Sequence, residues 1–187
     1  MKFYKITIAS VAVFVLIVGG YFYFSGNDSS QDSPQPMLGL TNFNVLETNE
    51  RKMPLGQREY KSSQFGFSLF YPDGMAVKEF GEGGGAGTIT FEDAVNARGF
   101  QIFVVPHNGT QVSEERFLKD TPSGVRKEST DIFIDGATAS AFYSTHAFLG
   151  ETREVWFIHG GYLFEVTTPR SGEFLLTEIL PTWQFTR

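Results

Sequence analysis

No cysteine occurs anywhere in the 187 residues. Disulfides are thereby excluded, so whatever folds here must be held by a buried core. Metal centres built on thiolates are excluded too, as is a lipoprotein anchor, which needs a cysteine to acylate. Histidine is scarce: His107 falls in a loop, His146 on a strand and His159 at a hairpin tip, none at the helical spacing that puts two imidazoles on one metal. The sequence also lacks a nucleophile elbow, a Walker loop, a His-Glu-x-x-His segment, an EF-hand loop and a dinucleotide fingerprint. Positive charge is the last shortage. Residues 60–187 carry ten basic and sixteen acidic side chains, a net of −6 (10 − 16). Such a surface repels phosphate backbones, and no nucleic-acid partner is expected.

What the chain does have is phenylalanine, 20 of them, which points to a core built from aromatic rings. It also has one long charge-free run, the nineteen residues 6–24, preceded by Lys2 and Lys5. That is close to the ~20 residues needed to cross a bilayer core as a helix. Tyr21, Phe22, Tyr23 and Phe24 suit an interfacial aromatic belt, and the lysines favour a cytoplasmic N-terminus. The run therefore reads as a membrane anchor at 1–24, with the rest of the chain on the extracytoplasmic side. A cleaved signal peptide processed near 18–20 is the alternative. Residues 25–59 read as a linker: 25–36 is a run of Ser, Asn, Asp, Gln, Gly and Pro. Taken as a flexible coil, residues 25–58 span about 30–35 Å. Leu38, Leu40, Phe43 and Val45 within it are either part of a passive tether or a motif that docks.

Residues 60–187 read as one globular domain, organised around Glu154-Val-Trp-Phe-Ile-His-Gly-Gly-Tyr-Leu-Phe-Glu-Val-Thr-Thr168. Two β-branched and aromatic runs meet at Gly160-Gly161, the two-residue signal for a primed hairpin turn. On that register Val155, Phe157, Phe164 and Val166 share one face, ending in His159 and Tyr162. Trp156, Ile158 and Leu163 share the other, with Glu154 and Glu165 among them. Both faces are apolar at the centre, so the hairpin is expected to be covered on both sides.

Around it, residues 65–71 alternate as a strand with Phe65, Phe67, Leu69 and Tyr71 on one face, and 75–80 form a second strand after Pro72-Asp73-Gly74. The glycine-rich stretch 81–87 leads into a strand at 88–91 rather than a helix, so it reads as a hairpin tip and not a phosphate loop. A strand follows at 99–105. A short helix is capped by Ser113, begins with Glu114 and Glu115, buries Phe117 and Leu118 and stops at Pro122. A second hairpin, 128–134 with 137–148, turns at Asp135-Gly136. A final helix at 171–180, capped by Ser171, presents Leu175, Leu176, Ile179 and Leu180, continued by Trp183 and Phe185. The expected fold class is α+β: an α/β/α sandwich around a six- or seven-stranded, mainly antiparallel sheet, preceded by one transmembrane helix.

Three stretches, Phe65-Gly-Phe-Ser-Leu-Phe-Tyr-Pro-Asp-Gly-Met75, Glu154-Val-Trp-Phe-Ile-His-Gly-Gly-Tyr-Leu-Phe164 and Ile179-Leu-Pro-Thr-Trp-Gln-Phe185, resemble the pattern of the PsbP-like domain family. The resemblance covers about residues 60–187. It implies an α/β/α sandwich on an antiparallel sheet, used as an accessory or assembly module rather than an enzyme. The family's best-known members serve the oxygen-evolving side of photosystem II. Met75 stands where the family pattern usually has Trp, and the chain is more similar to bacterial membrane-anchored proteins that share this domain.

Chemistry is sparse. Glu154 and Glu165 are the one pair of carboxylates the register brings near each other, as diagonal neighbours about 7–8 Å apart at the backbone. They are candidates to hold a cation or share acid–base work, against the expectation that each solvates its own end of the sheet or pairs with a Lys or Arg. Glu92-Asp93 and Glu114-Glu115 lack the further oxygen ligands of a calcium loop and read as solvated surface. No catalytic residue, metal or cofactor is assigned. The expectation is a non-enzymatic binding or assembly module with a protein partner in the envelope, its contacts made by exposed aromatics near 75–80. Two alternatives stand beside it: a sensor for a small molecule or cation, and a weak hydrolase using the two glutamates.

Overall fold

The structure, a computed structural model, describes residues 51–186. The apolar run 6–24, the polar stretch 25–36 and the segment with Leu38, Leu40, Phe43 and Val45 lie outside the described residues. Among the described residues no helix is long and apolar enough to cross a membrane. The unit Lys52–Arg187 folds on its own contacts. Its elements in order are β1 (Gln57–Ser62), β2 (Phe67–Pro72), β3 (Ala76–Gly83), β4 (Ala86–Asp93), β5 (Arg98–Pro106), α1 (Glu114–Asp120), β6 (Lys127–Ile134), β7 (Ala137–His146), β8 (Gly150–His159), β9 (Tyr162–Pro169), α2 (Glu173–Ile179) and β10 (Gln184–Phe185).

Seven strands form one wholly antiparallel sheet in the order β3-β4-β5-β9-β8-β7-β6. Strands β6 to β9 are a meander of short turns, as the turn residues predict, and β5 pairs with β9 to join it to the β3–β4–β5 half. The β8–β9 hairpin sits near the middle, with Val155 opposite Val166, Phe157 opposite Phe164 and Trp156 opposite Glu165. Its turn is made by Gly160 at φ +58 and Gly161 at φ +82, left-handed conformations that match the strand twist and penalise any residue with a Cβ. Replacing Gly161 with Val should therefore cost about 1–2 kcal/mol, seen as a lower urea midpoint at unchanged m-value. Asn at position 160 should be far better tolerated.

Each face of the central hairpin is covered, by different elements. On one face Phe91, Phe100, Ile102, Phe157 and Phe164 meet Phe67, Leu69 and Trp183 together with Leu175, Leu176 and Ile179 of α2. Phe67 stacks on Trp183 with centroids 4.3 Å apart and meets Phe164 edge-on at 5.7 Å. On the other face a smaller cluster of Phe117, Phe142, Trp156 and Leu163 lies beneath α1. Arg126 caps that cluster, its guanidinium 4.1 Å from the Phe117 ring centre and 4.9 Å from that of Phe142.

The layers differ from the expected α/β/α sandwich in one respect. Strand β2 is not part of the large sheet; with β1 and β10 it forms a three-stranded antiparallel sheet, order β1-β2-β10, that shares one face of the large sheet with α2. Alternation reveals which face of a strand is buried, not which strands flank it, so the second sheet was invisible in the pattern. Strand β1 opens at Gln57, inside the stretch read as linker, because only Tyr60 and Ser62 of its six residues are buried.

Both expected helices of the domain are present and short, seven residues each. Leu118 is 46 % exposed, since a seven-residue helix has room for a stripe one side chain wide and Phe117 fills it. Ser113 does cap α1, accepting from the Arg116 amide at 3.1 Å. Ser171 does not cap α2: a 3-10 turn at Arg170–Gly172 runs straight into the helix, so Gly172 occupies the cap position without a side-chain bond.

Candidate functional site

The two glutamates singled out by the register do share one face of the β8–β9 hairpin, and both are buried: Glu154 is 6 % and Glu165 5 % exposed. Neither solvates an end of the sheet. Pairing places Trp156 opposite Glu165 and Glu154 opposite Thr167, so the carboxylates sit in adjoining rows near the sheet's centre, where α1 covers the neighbouring rings.

Glu154 is fully engaged. Thr152 Oγ1 donates to its Oε1 at 2.7 Å, and Thr167 Oγ1 and Trp156 Nε1 donate to its Oε2 at 2.6 and 3.3 Å. Burial pushes its carboxyl up, while the donors, Thr167 first, hold it down by favouring the ionised form.

Glu165 is not so provided. Its Oε1 lies 3.6 Å from Arg116 Nη2, beyond hydrogen-bond length, and has no hydrogen-bond partner. Burial raises its carboxyl well above the ordinary range, the Asp120 charge and a hydrogen bond with Asp120 raise it further, and Arg116 opposes them. A second carboxyl beside a buried one disfavours its ionised form, and Arg116 is the cation that offsets this for Glu165. Arg116 also touches Asp120 directly, as an i,i+4 ion pair along α1. Two carboxyl groups, Glu165 and Asp120, thus face one guanidinium, with Glu154 in the adjoining row.

Arg116 and Asp120 were missed by sequence reasoning. The signal was present: the two flank Phe117 at i, i+4 spacing, so the face of α1 that buries Phe117 must also carry them inward.

The histidines are not brought together. His107 Nε2 lies 3.0 Å from the Gln111 carbonyl, His146 Nδ1 accepts from the amides of Phe148 and Leu149, and His159 stacks on Phe185 at 3.5 Å. Among the described residues no group of three or more His, Cys, Asp or Glu side chains is arranged to hold a metal ion.

Asp93, read as solvated surface, is 5 % exposed. The turn after β4 folds back over it, so that it accepts from the Asn96 amide, Asn96 Nδ2 and Arg98 Nε at 3.1, 2.7 and 3.0 Å. Those bonds, the Asn96 side chain's first, lower its carboxyl from 3.8 to about 2. A carboxyl depressed on folding stabilises the native state above its unfolded pKa, and that stability is lost as pH falls through the folded one. Asp93→Asn should therefore melt below the parent at neutral pH and converge with it near pH 2, in thermal melts taken across the acid range. An open depression beside this turn is lined by Asn96, Ala97, Arg98, Ser171 and Phe174.

Together these features define an antiparallel α+β sandwich with its acidic pair sealed under a short helix, and its fold is PsbP-like. The solution structure of cyanobacterial PsbP (CyanoP) from Synechocystis superposes with a TM-score of 0.50 at 13 % identity, covering 70 % of this chain and 92 % of that one. A crystal structure from Bacteroides thetaiotaomicron matches with a TM-score of 0.49 at 18 % identity over 71 % of this chain, and the match spans only 50 % of that protein's length. No family model matches the sequence, and no curated protein matches it.

Proposed function

We propose that this chain is a membrane-anchored protein that presents a non-enzymatic binding or assembly module on the extracytoplasmic side of the membrane, with a protein partner in the envelope. The observation that carries this reading is the fate of the two glutamates. Of the carboxylates best placed by the sequence for chemistry, Glu154 is spent on Thr152, Thr167 and Trp156, and Glu165 is buried facing Arg116. A substrate would have to displace α1 to reach them.

The contact features lie at the edges. Strand β3 is an edge of the large sheet among the described residues, is exposed along nearly its whole length, and carries Phe80 half-exposed. An edge strand with an unpaired backbone and one large apolar side chain suits a protein partner that adds a strand. Of the stretch 75–80 expected to carry exposed aromatics, Phe80 is exposed, while Met75 is only 4 % exposed and belongs to the core. A photo-crosslinker at position 80 of the full chain, used in intact cells, is expected to give one reproducible protein adduct that competes with added parent protein. Turnover of a substrate by the purified chain, abolished by Glu154→Gln with the fold intact, would overturn the reading.

A further inference from the structure

The large apolar side chains left exposed are not spread evenly over the domain. The registers place several turns at one end of the large sheet. Asp93 pairs with Arg98 at the β4–β5 turn, His146 with Gly150 at the β7–β8 turn, and Thr152 with Pro169 just before α2. Strand β3 starts at the same end, with Ala76 opposite Glu92, and so does β1, since Gln57 pairs with Pro72 just before β3. Eight large apolar side chains are exposed among the described residues, and five of them, Met53, Leu55, Val95, Phe148 and Phe174, belong to this end. Leu55, Val95 and Phe148 are 105 %, 92 % and 79 % exposed, at or beside turn tips.

The polar groups between these tips are of a kind that tolerates an interface. Arg98 lies 5.8 Å from the Phe174 ring centre, while Arg153 and Arg170 lie 4.6 Å from that of Tyr143. Asp93 pairs with Arg98 and Glu151 with Arg170, so the end is not strongly charged despite the acidic domain. Guanidinium groups laid on rings keep an apolar stem and a wet head together, as at a membrane–water boundary. From the β4–β5 tip to the β7–β8 tip is about three to four strand spacings, roughly 15–19 Å, so the tips define a broad footing rather than a point.

We propose that this end of the domain rests on the lipid surface, with Leu55, Val95 and Phe148 entering the headgroup layer. The inference rests on the anchor reading given above. What favours lipid as the occupant is connectivity: the chain leading from the apolar run 6–24 enters the domain at β1, on this end and not the opposite one. A domain joined in one chain to a membrane anchor is held near the bilayer at high effective concentration. Interfacial contacts from a few apolar side chains, too weak to recruit a free protein, are then enough to orient an attached one.

The absence of cysteine allows a clean test. The full chain carrying a single Val95→Cys, Phe148→Cys or Phe133→Cys change is labelled with nitrobenzoxadiazole and reconstituted into phosphatidylcholine–phosphatidylglycerol vesicles. Position 133 is equally exposed, at 78 %, but lies on the edge strand β6 close to its turn into β7, at the opposite end. Labels at 95 and 148 are expected to be quenched several-fold more than the label at 133 by lipids with a headgroup nitroxide. Equal quenching at all three positions, in protein that floats with the vesicles, overturns the inference and leaves the anchor standing. Shielding of 95 and 148 from aqueous iodide without lipid quenching would mean that protein covers this end, and also overturns it. Failure of the full chain to float with vesicles removes the anchor reading and the inference together.

Discussion

Phe164→Ala is expected to destabilise the domain by about 3–5 kcal/mol, among the largest losses a single truncation can produce. The ring is fully buried at the centre of β9, stacked on Phe157 at 5.1 Å and edge-on to Phe67 and Trp183, each at 5.7 Å. It is the place where the large sheet, the three-stranded sheet and the segment after α2 meet. Three neighbours held by separate elements cannot all close on the space a benzyl group leaves, so the transfer loss is joined by a cavity loss. For a domain of this size the melting temperature should fall by ~10–20 °C. Urea unfolding should show the same loss in midpoint at an unchanged slope. Phe133→Ala, removing the same group from a 78 % exposed site, should stay within about 0.5 kcal/mol of the parent. Near-equal effects at the two positions would mean that the aromatic slab is not what holds the sheets together.

That slab was legible in the sequence because its signals are local. Gly160-Gly161 can hardly make anything but a primed turn between such runs, and once the turn is placed, the facing pairs out to Val155 and Val166 follow by counting. Asp135-Gly136 did the same for β6 and β7, apart from the bulge near Glu128, whose φ of +50 no alternation rule could anticipate. Partnership between distant segments was not legible. Strand β2 was identified as a strand with the right buried face, yet its neighbours β1 and β10 lie at opposite ends of the domain sequence. The candidate site divides along the same line. That Glu154 and Glu165 share a face follows from period two; that both are sealed from water depends on where α1 lands. The cation and further carboxyl that α1 delivers, Arg116 and Asp120, come from a helix separated from the hairpin by the 29 residues 121–149.

Removing the lone guanidinium of that cluster should cost as much as removing a core ring, but with a signature in pH that packing cannot mimic. Arg116→Met keeps the stem over the apolar surface and deletes the charge, leaving Glu165 and Asp120 with no cation beside them. Breaking a buried pair from one side typically costs about 3–5 kcal/mol, because the uncompensated charge stays behind. The loss should be largest where the carboxyls must ionise. Glu165 has a folded pKa raised above its unfolded value near 4.5. Below 4.5 it is protonated in both states and contributes nothing to the pH dependence. As pH rises, the unfolded chain ionises first, so stability falls until the folded carboxyl also releases its proton. Deleting Arg116, which opposes the upward shift, moves that release higher and widens the window of loss. Arg116→Met should therefore lie closest to the parent in melts near pH 4 and fall progressively behind toward pH 8. Adding Glu165→Gln to Arg116→Met should recover much of the deficit at neutral pH and little in acid, since the amide needs no counter-charge and can donate to Asp120. A deficit that was flat with pH, and untouched by the second change, would show that Arg116 acts through its stem alone and not through its charge beside Glu165.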